Sequence, residues 1–251
     1  MNNIKDRTYN MKIGNDAEII ELDGSARSHL RVRFSIDIAA GWLSYAEFEI
    51  NNLNQETQRK IIEEFTTVKF SAGYRDFSGQ LFEGQIVTTE RMSDAGTTSL
   101  KLFCKSAGRQ ARESIFNKSY SPGVANSQIV LDCAKTLGYP VEVIGELTGS
   151  QINGYSSDGS SISELNKLAR ALNFAWTVDR GVLYVQTDGA ISAGAEPIYT
   201  RKTGLLGVPT VTIVGVECDV ALSSVVRRGM PFRIESEYAE KSLSNNYFVD
   251  D

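Results

Sequence analysis

The chain has 251 residues, 41% of them hydrophobic and 23% charged, enough for one large domain or two to three small ones that bury their cores without disulfide or metal staples. Thirty-one acidic against 26 basic residues leave a net charge of −5 and a pI near 5.2, which argues against a surface built to hold a nucleic-acid backbone. No apolar run approaches the roughly 20 residues that cross a bilayer, and MNNIKDRTYNMKIG lacks the apolar core of a secretory signal, so a soluble chain with no stable membrane insertion is expected.

Residues 1–104 read as strands. Leu30, Val32, Phe34, Ile36 and Ile38 alternate strictly with polar partners, the period-two pattern of a half-buried strand, and Phe48 and Ile50 continue it. The stretch NNLNQETQRKIIEEF then predicts a short helix capped by Asn54, with Ile61, Ile62 and Phe65 on its buried side. Strands resume at Val68 and Phe70, at Leu81 to Val87, and at Leu100, Leu102 and Cys104, with turns expected at Ala72-Gly73, Asp76 to Gly79 and Ser93 to Gly96. The spacing predicts a small antiparallel barrel or sandwich with one helix plugging an end. Gly73, Gly79 and Gly84, in AGYRDFSGQLFEGQI, are turn and close-packing glycines of that sheet.

Residues 105–189 change period. SQIVLDCAKTLG sets Ile129, Val130, Cys133, Ala134 and Leu137 at helical spacing, with Asn126 or Ser127 as N-cap and Gly138 at the stop. A second helix follows in SISELNKLARALNF, where Ser161 and Glu164 match a capping box ahead of an apolar stripe. FAWTVDRGVLYVQT then reads as two strands joined tightly at Asp179-Arg180-Gly181. The middle is thus a small α+β unit. Residues 190–251 return to strand texture in TVTIVGVECDVAL, GMPFRIES and NNYFV. Three or four strands are few for a closed barrel, so this sheet is expected either to be completed by another chain or to continue past Asp251.

Motifs that carry chemistry are scarce. Cys104, Cys133 and Cys218 lack zinc-binding spacing and read as reduced thiols. The single histidine, His29, is the only residue on which a histidine triad could centre. Glu47 and Glu49, or Glu63 and Glu64, could pair in a glycosidase, as most acidic pairs could. Arg27, Arg31 and Arg33 read as the solvated face of a strand, and Arg227-Arg228 as the lead into the turn at Gly229. No P-loop or dinucleotide fingerprint occurs, and SSDGSS and TGLLGVP serve turns. No catalytic, cofactor-binding or metal-ligating residue is assigned.

The order VKFSAGYRD, SGQLFEGQI, LKLFCKSAGR, SPGVANSQIVLDCAKTLGY, SSDGSSISELNKLARALNFAWTVDRGVLYV, GLLGVPTV and GVECDVALSSVVRRGMPFRIES resembles the baseplate hub proteins of tailed bacteriophages. That broad family includes the tail protein D group and the hub part of the type VI secretion VgrG spike. The resemblance covers residues 28 to 236 and runs through Asn173-Phe174-Ala175-Trp176 to Arg228-Gly229-Met230-Pro231-Phe232-Arg233-Ile234. It implies a mainly β chain in which two small tube-like antiparallel β-barrels, 1–104 and 190–251, flank the α+β unit. It further implies a non-enzymatic homotrimer that docks under the sixfold tail tube or tail-tip proteins, meets the spike on its other side, and lines a channel through which DNA passes without specific binding. No cofactor and no small-molecule substrate follow from it, and the implied location is the virion tail baseplate, after synthesis in the host cytoplasm. Two other readings remain: a carbohydrate- or peptidoglycan-binding module seated in the middle unit, and a hydrolase using the carboxylates at Glu47 and Glu49.

Overall fold

Alternation of apolar and polar residues dominates the first hundred positions, and the computed structural model, which describes residues 6–24, 30–38, 43–75, 77–94, 97–194, 196–213, 215–236 and 246–248, turns it into strands. These are β1 (Arg7–Gly14), β2 (Ile19–Asp23), β3 (Arg31–Asp37) and β4 (Tyr45–Asn51), then α1 (Gln55–Glu63), then β5 (Thr67–Tyr74), β6 (Phe77–Asp94) and β7 (Thr97–Lys105). They form one seven-stranded sheet in the order β2-β1-β5-β6-β7-β4-β3, antiparallel throughout. Met11, Ile13, Phe48, Ile50, Val68, Phe70, Leu100 and Leu102 fill its concave face, as strand alternation requires.

Asn54 caps α1 as expected, its side chain accepting the Thr57 N–H at 2.7 Å. Ile61 and Phe65 enter the core, but Ile62 is 37% exposed, because neighbours one position apart on a helix lie about 100° apart and cannot both face one wall. The expected turn residues Ala72, Gly73 and Gly79 lie inside strands, whose pairing runs up to Tyr74 opposite Phe77, and Asp76, Ala95 and Gly96 of the expected turns lie outside the described residues. Register shifts between Phe70 and Ser71 and between Ile86 and Thr88 mark bulges that leave one extra residue each, Leu81 and Val87, on β6. The first buries a second large side chain beside Phe82, and bulges add local twist.

The sheet curls until its far edge overhangs its middle. The Phe34 ring of β3 lies 4.7 Å from that of Phe70 on β5, and the Tyr9 hydroxyl of β1 donates to the Leu30 carbonyl at 2.9 Å. Among the described residues, however, no ladder joins β2 to β3. The expected first barrel is therefore a curled, open sheet.

The middle stretch holds more than two helices and a hairpin. It runs α2 (Arg109–Glu113), β8 (Ile115–Tyr120), β9 (Val124–Ala125), α3 (Asn126–Lys135), β10 (Val141–Ile144), β11 (Ser150–Gln151), β12 (Tyr155–Ser160), α4 (Ser161–Leu172), β13 (Phe174–Asp179) and β14 (Val182–Thr187). The predicted hairpin β13–β14 gains a third strand, β10, parallel to β14, while β8 pairs with β12 and β9 with β11. The helices pack Ile129, Val130, Cys133, Leu165 and Leu168 against Trp176, Val178, Leu183 and Val185. Both expected helix caps are replaced by tertiary bonds. Asn126 is the first residue of α3, not its cap, and its side chain donates to the Thr148 carbonyl at 2.9 Å. The Ser161–Glu164 box does not form: Ser160 is the N-cap, fully buried Ser161 accepts from Thr136 Oγ1 at 2.7 Å, and Glu164 accepts the Tyr155 hydroxyl. Asn173 closes α4 in the left-handed conformation, φ 53°, where asparagine is tolerated.

The last stretch comprises β15 (Ile198–Tyr199), β16 (Leu205–Val211), β17 (Val216–Val220), β18 (Pro231–Ile234) and β19 (Asn246–Phe248). A three-stranded sheet, β15-β18-β19, and a separate β16–β17 hairpin share a small core of Tyr199, Leu205, Phe232 and Ile234. The expected second barrel is thus also not closed among the described residues, for want of a strand to bridge the hairpin and the sheet.

Phe48 sits at the centre of the first core, its ring 4.9 Å from Phe70 and 5.8 Å from Phe82. Phe48→Ala is expected to cost about 3–5 kcal/mol and Ile62→Ala under about 0.5 kcal/mol, read from urea unfolding of the full chain.

Candidate functional site

The three packed clusters meet at one two-residue turn. Asp179 pairs with Val182 across the β13–β14 hairpin, and Arg180 and Gly181 between them have φ of 51° and 81°, the paired left-handed residues that match the twist of a hairpin. Glycine adopts this freely, whereas an arginine there is strained by about 1–2 kcal/mol. Its side chain offsets that strain. Arg180 Nη1 donates to the Ser224 carbonyl at 2.6 Å and Nη2 to the Val226 carbonyl at 2.9 Å, fastening the C-terminal unit to the middle one. Its own carbonyl accepts from Gln80 Nε2 of β6 at 3.3 Å, and Gln80 also donates to Glu83.

Close backbone approach completes the junction. A Cβ on Gly79 would lie 2.5 Å from Ser224 Oγ, and one on Gly181 would lie 3.0 Å from Glu83 Oε2. Gly79 therefore serves contact between the first sheet and the C-terminal unit, while a Cβ on Gly73 or Gly84 would lie 2.1 Å from the Phe77 carbonyl oxygen or 2.2 Å from that of Lys105 on the neighbouring strand.

Asp179 is the acid of this junction. It is 8% exposed and lies 3.5 Å from Arg180 Nε. Burial pushes its carboxyl above the ordinary carboxylate value, with Arg180 and Arg227 pulling the other way. Burial likewise pulls Arg180 down against the field of Asp179, but a guanidinium stays protonated. Arg227 Nη1 donates to the Tyr184 hydroxyl at 2.7 Å. Beside these groups, a cleft of about 410 Å³ opens between the β10-β14-β13 sheet and the segment leading to Met230.

Other groups singled out in the sequence do not converge. Glu47 and Glu49 lie on the outer face of β4 and pair with Lys101 at 3.1 Å and Arg33 at 3.8 Å. Glu63 pairs with Arg59 one helical turn away, at 3.6 Å, and the Glu64 carbonyl accepts from Asn15. Glu47 borders a shallow pocket of about 250 Å³ with Tyr45 and Lys105, but Glu49 is not among its lining residues. Arg31 and Arg33 are exposed on edge strand β3, a solvated face as expected; Arg27 and His29 lie outside the described residues. Cys104 and Cys133 are buried free thiols pushed up to about 12, the first by burial alone, the second by burial with a contribution from Glu164. Cys218 is partly buried and also free. The sequence shows an arginine preceding glycine in a two-residue hairpin turn, but not that its side chain ties the units together.

Residues 27–251 match the family described as baseplate hub gp41. No curated protein matches the chain in sequence. In fold the chain is similar to the 43 kDa tail protein of prophage MuSo2 from Shewanella oneidensis, with TM-score 0.52, 12% identity, and coverage of 93% of this chain and 73% of that one. It is similar also to a tail protein from Neisseria meningitidis MC58, with TM-score 0.50, 9% identity, and coverage of 94% and 73%. A third similar structure is the E. coli c3393 protein, a type VI secretion component described as structurally similar to T4 tail proteins gp27 and gp5, with TM-score 0.53, 10% identity, and coverage of 88% and 71%. The chain belongs to the baseplate hub gp41 family, a structural component of the phage tail.

Truncating Arg180 strands Asp179 and frees two carbonyls. Arg180→Ala is expected to cost about 3 kcal/mol, measured by urea unfolding, and a loss below about 0.5 kcal/mol would show that the junction is held elsewhere. Asp179 has its own signature. The folded chain holds its proton more tightly than the unfolded chain, so its contribution to stability is full below the unfolded carboxyl value and lost as pH rises through the raised folded one. Asp179→Asn is expected to remove that decline from a pH series of melting temperatures.

Proposed function

We propose that this chain is a structural hub of the phage tail baseplate that works as a homotrimer, joining the tail tube or tail-tip proteins on one face to the central spike on the other. Its membership of the baseplate hub family supports the setting. The observation that carries the assembly reading is the β16–β17 hairpin. It pairs with no other strand among the described residues, and Leu206, Val208, Val211 and Ile213 stand 52%, 56%, 61% and 104% exposed along it. A soluble chain that keeps a run of apolar side chains in water on an unpaired edge is built for a partner. Strands β2 and β3, the ends of the first sheet, offer further edges that are unpaired among the described residues.

On this reading the three stretches 1–104, 105–189 and 190–251 act as domains, and the two curled sheets complete tube-like walls when neighbouring copies meet. Three copies then give six similar walls beneath a sixfold tube. A net charge of −5 per chain suits a channel through which DNA slides, since like charge repels phosphate. The role is non-enzymatic: Glu47, Glu49 and Glu63, which could serve a hydrolase, are each held in an ion pair, by Lys101, Arg33 and Arg59. The chain is made in the host cytoplasm and carried in the virion.

Light-scattering mass with negative-stain imaging of the purified chain is expected to give a threefold ring with an open centre. Val208→Asp with Ile213→Asp should leave the circular dichroism of the chain unchanged and abolish the ring. A wild-type chain that stays monomeric in the presence of tube and spike proteins would overturn the proposal.

A further inference from the structure

The β10-β14-β13 sheet has helices on one face and, on the other, the 410 Å³ cleft noted above, a volume within the range of small-ligand sites. Its floor is polar. Thr177 and Asp179 stand two apart on β13, so they share a face about 7 Å apart, with Tyr184 opposite Thr177 on β14 and Glu142 beyond it on β10. Two of these groups are short of hydrogen-bond donors. Thr177 is 6% exposed and its Oγ1 is buried without a partner among the described residues. Asp179, 8% exposed, meets a single cation at 3.5 Å, and no described hydrogen bond reaches its carboxylate. Leaving a buried hydroxyl such as Thr177 Oγ1 unmet is costly, and a desolvated acid in a cleft marks a candidate binding group.

The charges around the cleft decide what kind of donor fits. Asp179 and Glu142 line the cleft opposite Arg227 and Arg228, with Arg180 beside Asp179, so its charges already balance without an incoming lysine or arginine. Hydroxyl groups donate without adding charge. The Arg227 guanidinium has five donors, one of them on Tyr184, and so has others for a ligand carbonyl. Met230, Ile38 and Ile144 supply apolar wall for the C–H face of a ring.

We propose that this cleft binds a neutral glycan through an N-acetylated hexose, whose hydroxyls donate to Asp179 and Thr177 and whose acetamido carbonyl accepts from Arg227. This goes beyond the assembly role and does not depend on it. The test is calorimetric titration of the full chain with N,N′-diacetylchitobiose, beside Thr177→Val, which keeps the side-chain shape and deletes only the hydroxyl. Wild type is expected to bind saturably at one site, and Thr177→Val to bind about tenfold or more weakly with a melting temperature equal to or above that of wild type. No saturable binding by wild type would overturn the proposal, as would undiminished affinity in Thr177→Val. Binding of the tripeptide Gly-Arg-Gly in place of the sugar would overturn it too, and would make the cleft a peptide dock.

Discussion

A guanidinium at the tip of a hairpin ties this chain together. Arg180 occupies a left-handed turn position that favours glycine, asparagine or aspartate, yet from there its fork reaches the carbonyls of both Ser224 and Val226. Hydrogen bonds from a charged donor are each worth roughly 1.5–3 kcal/mol, more than the strain of the turn. The geometry is specific to arginine, because a lysine ammonium offers a point charge where two carbonyls two residues apart need a planar fork. Asp179, adjacent and buried, keeps that fork from being an uncompensated charge in the interior. The pair is thus a locating device between packed clusters, and its contribution lies in fixing position more than in net stability.

Glycine supplies the second half of that constraint. At Gly79 and Gly181 a side chain would press into Ser224 and Glu83, so the three clusters approach one another by backbone there, beside the apolar contacts that Leu43 makes in the middle core and Leu222 against the first. Contacts of this kind are short and polar. They hold a register without requiring a large hydrophobic interface, which leaves the apolar residues of the β16–β17 hairpin uncovered. The fold therefore divides its resources: aromatic packing stabilises the first sheet, helix packing the middle, and a few directed hydrogen bonds set their arrangement.

Much of this was legible in the sequence because it rests on periodicity. Alternation marks β3 through β7, Asn54 marks the start of α1, helical stripes mark α3 and α4, and Asp179-Arg180-Gly181 marks a tight turn. Closure was not legible. Whether a curled sheet joins its ends depends on edge pairing between residues far apart in the chain, and no local pattern at β2 or β3 encodes it. The caps misread at Ser161 and Asn126 failed for a related reason: each side chain found a long-range partner, Thr136 or Thr148, that outcompeted the local bond. β10 escaped notice as a four-residue strand whose partner lies some forty positions on.

The cleft was hidden for the same reason, and it shows how a structural chain acquires a recognition site. Thr177 and Asp179 are ordinary strand residues in sequence, two apart and flanked by Trp176 and Val178. Only when β13 pairs with β14, and Arg180 draws residues 224–226 across the sheet face, do they become buried acceptors at the bottom of a cavity. A surface strand in water would satisfy both groups with solvent at no cost. The wall that excludes solvent is there because the units must be fastened, so the demand for hydrogen-bond donors is a consequence of assembly. Any ligand that meets that demand also bridges the middle unit and the C-terminal one, and by linkage it stabilises the junction that created its site.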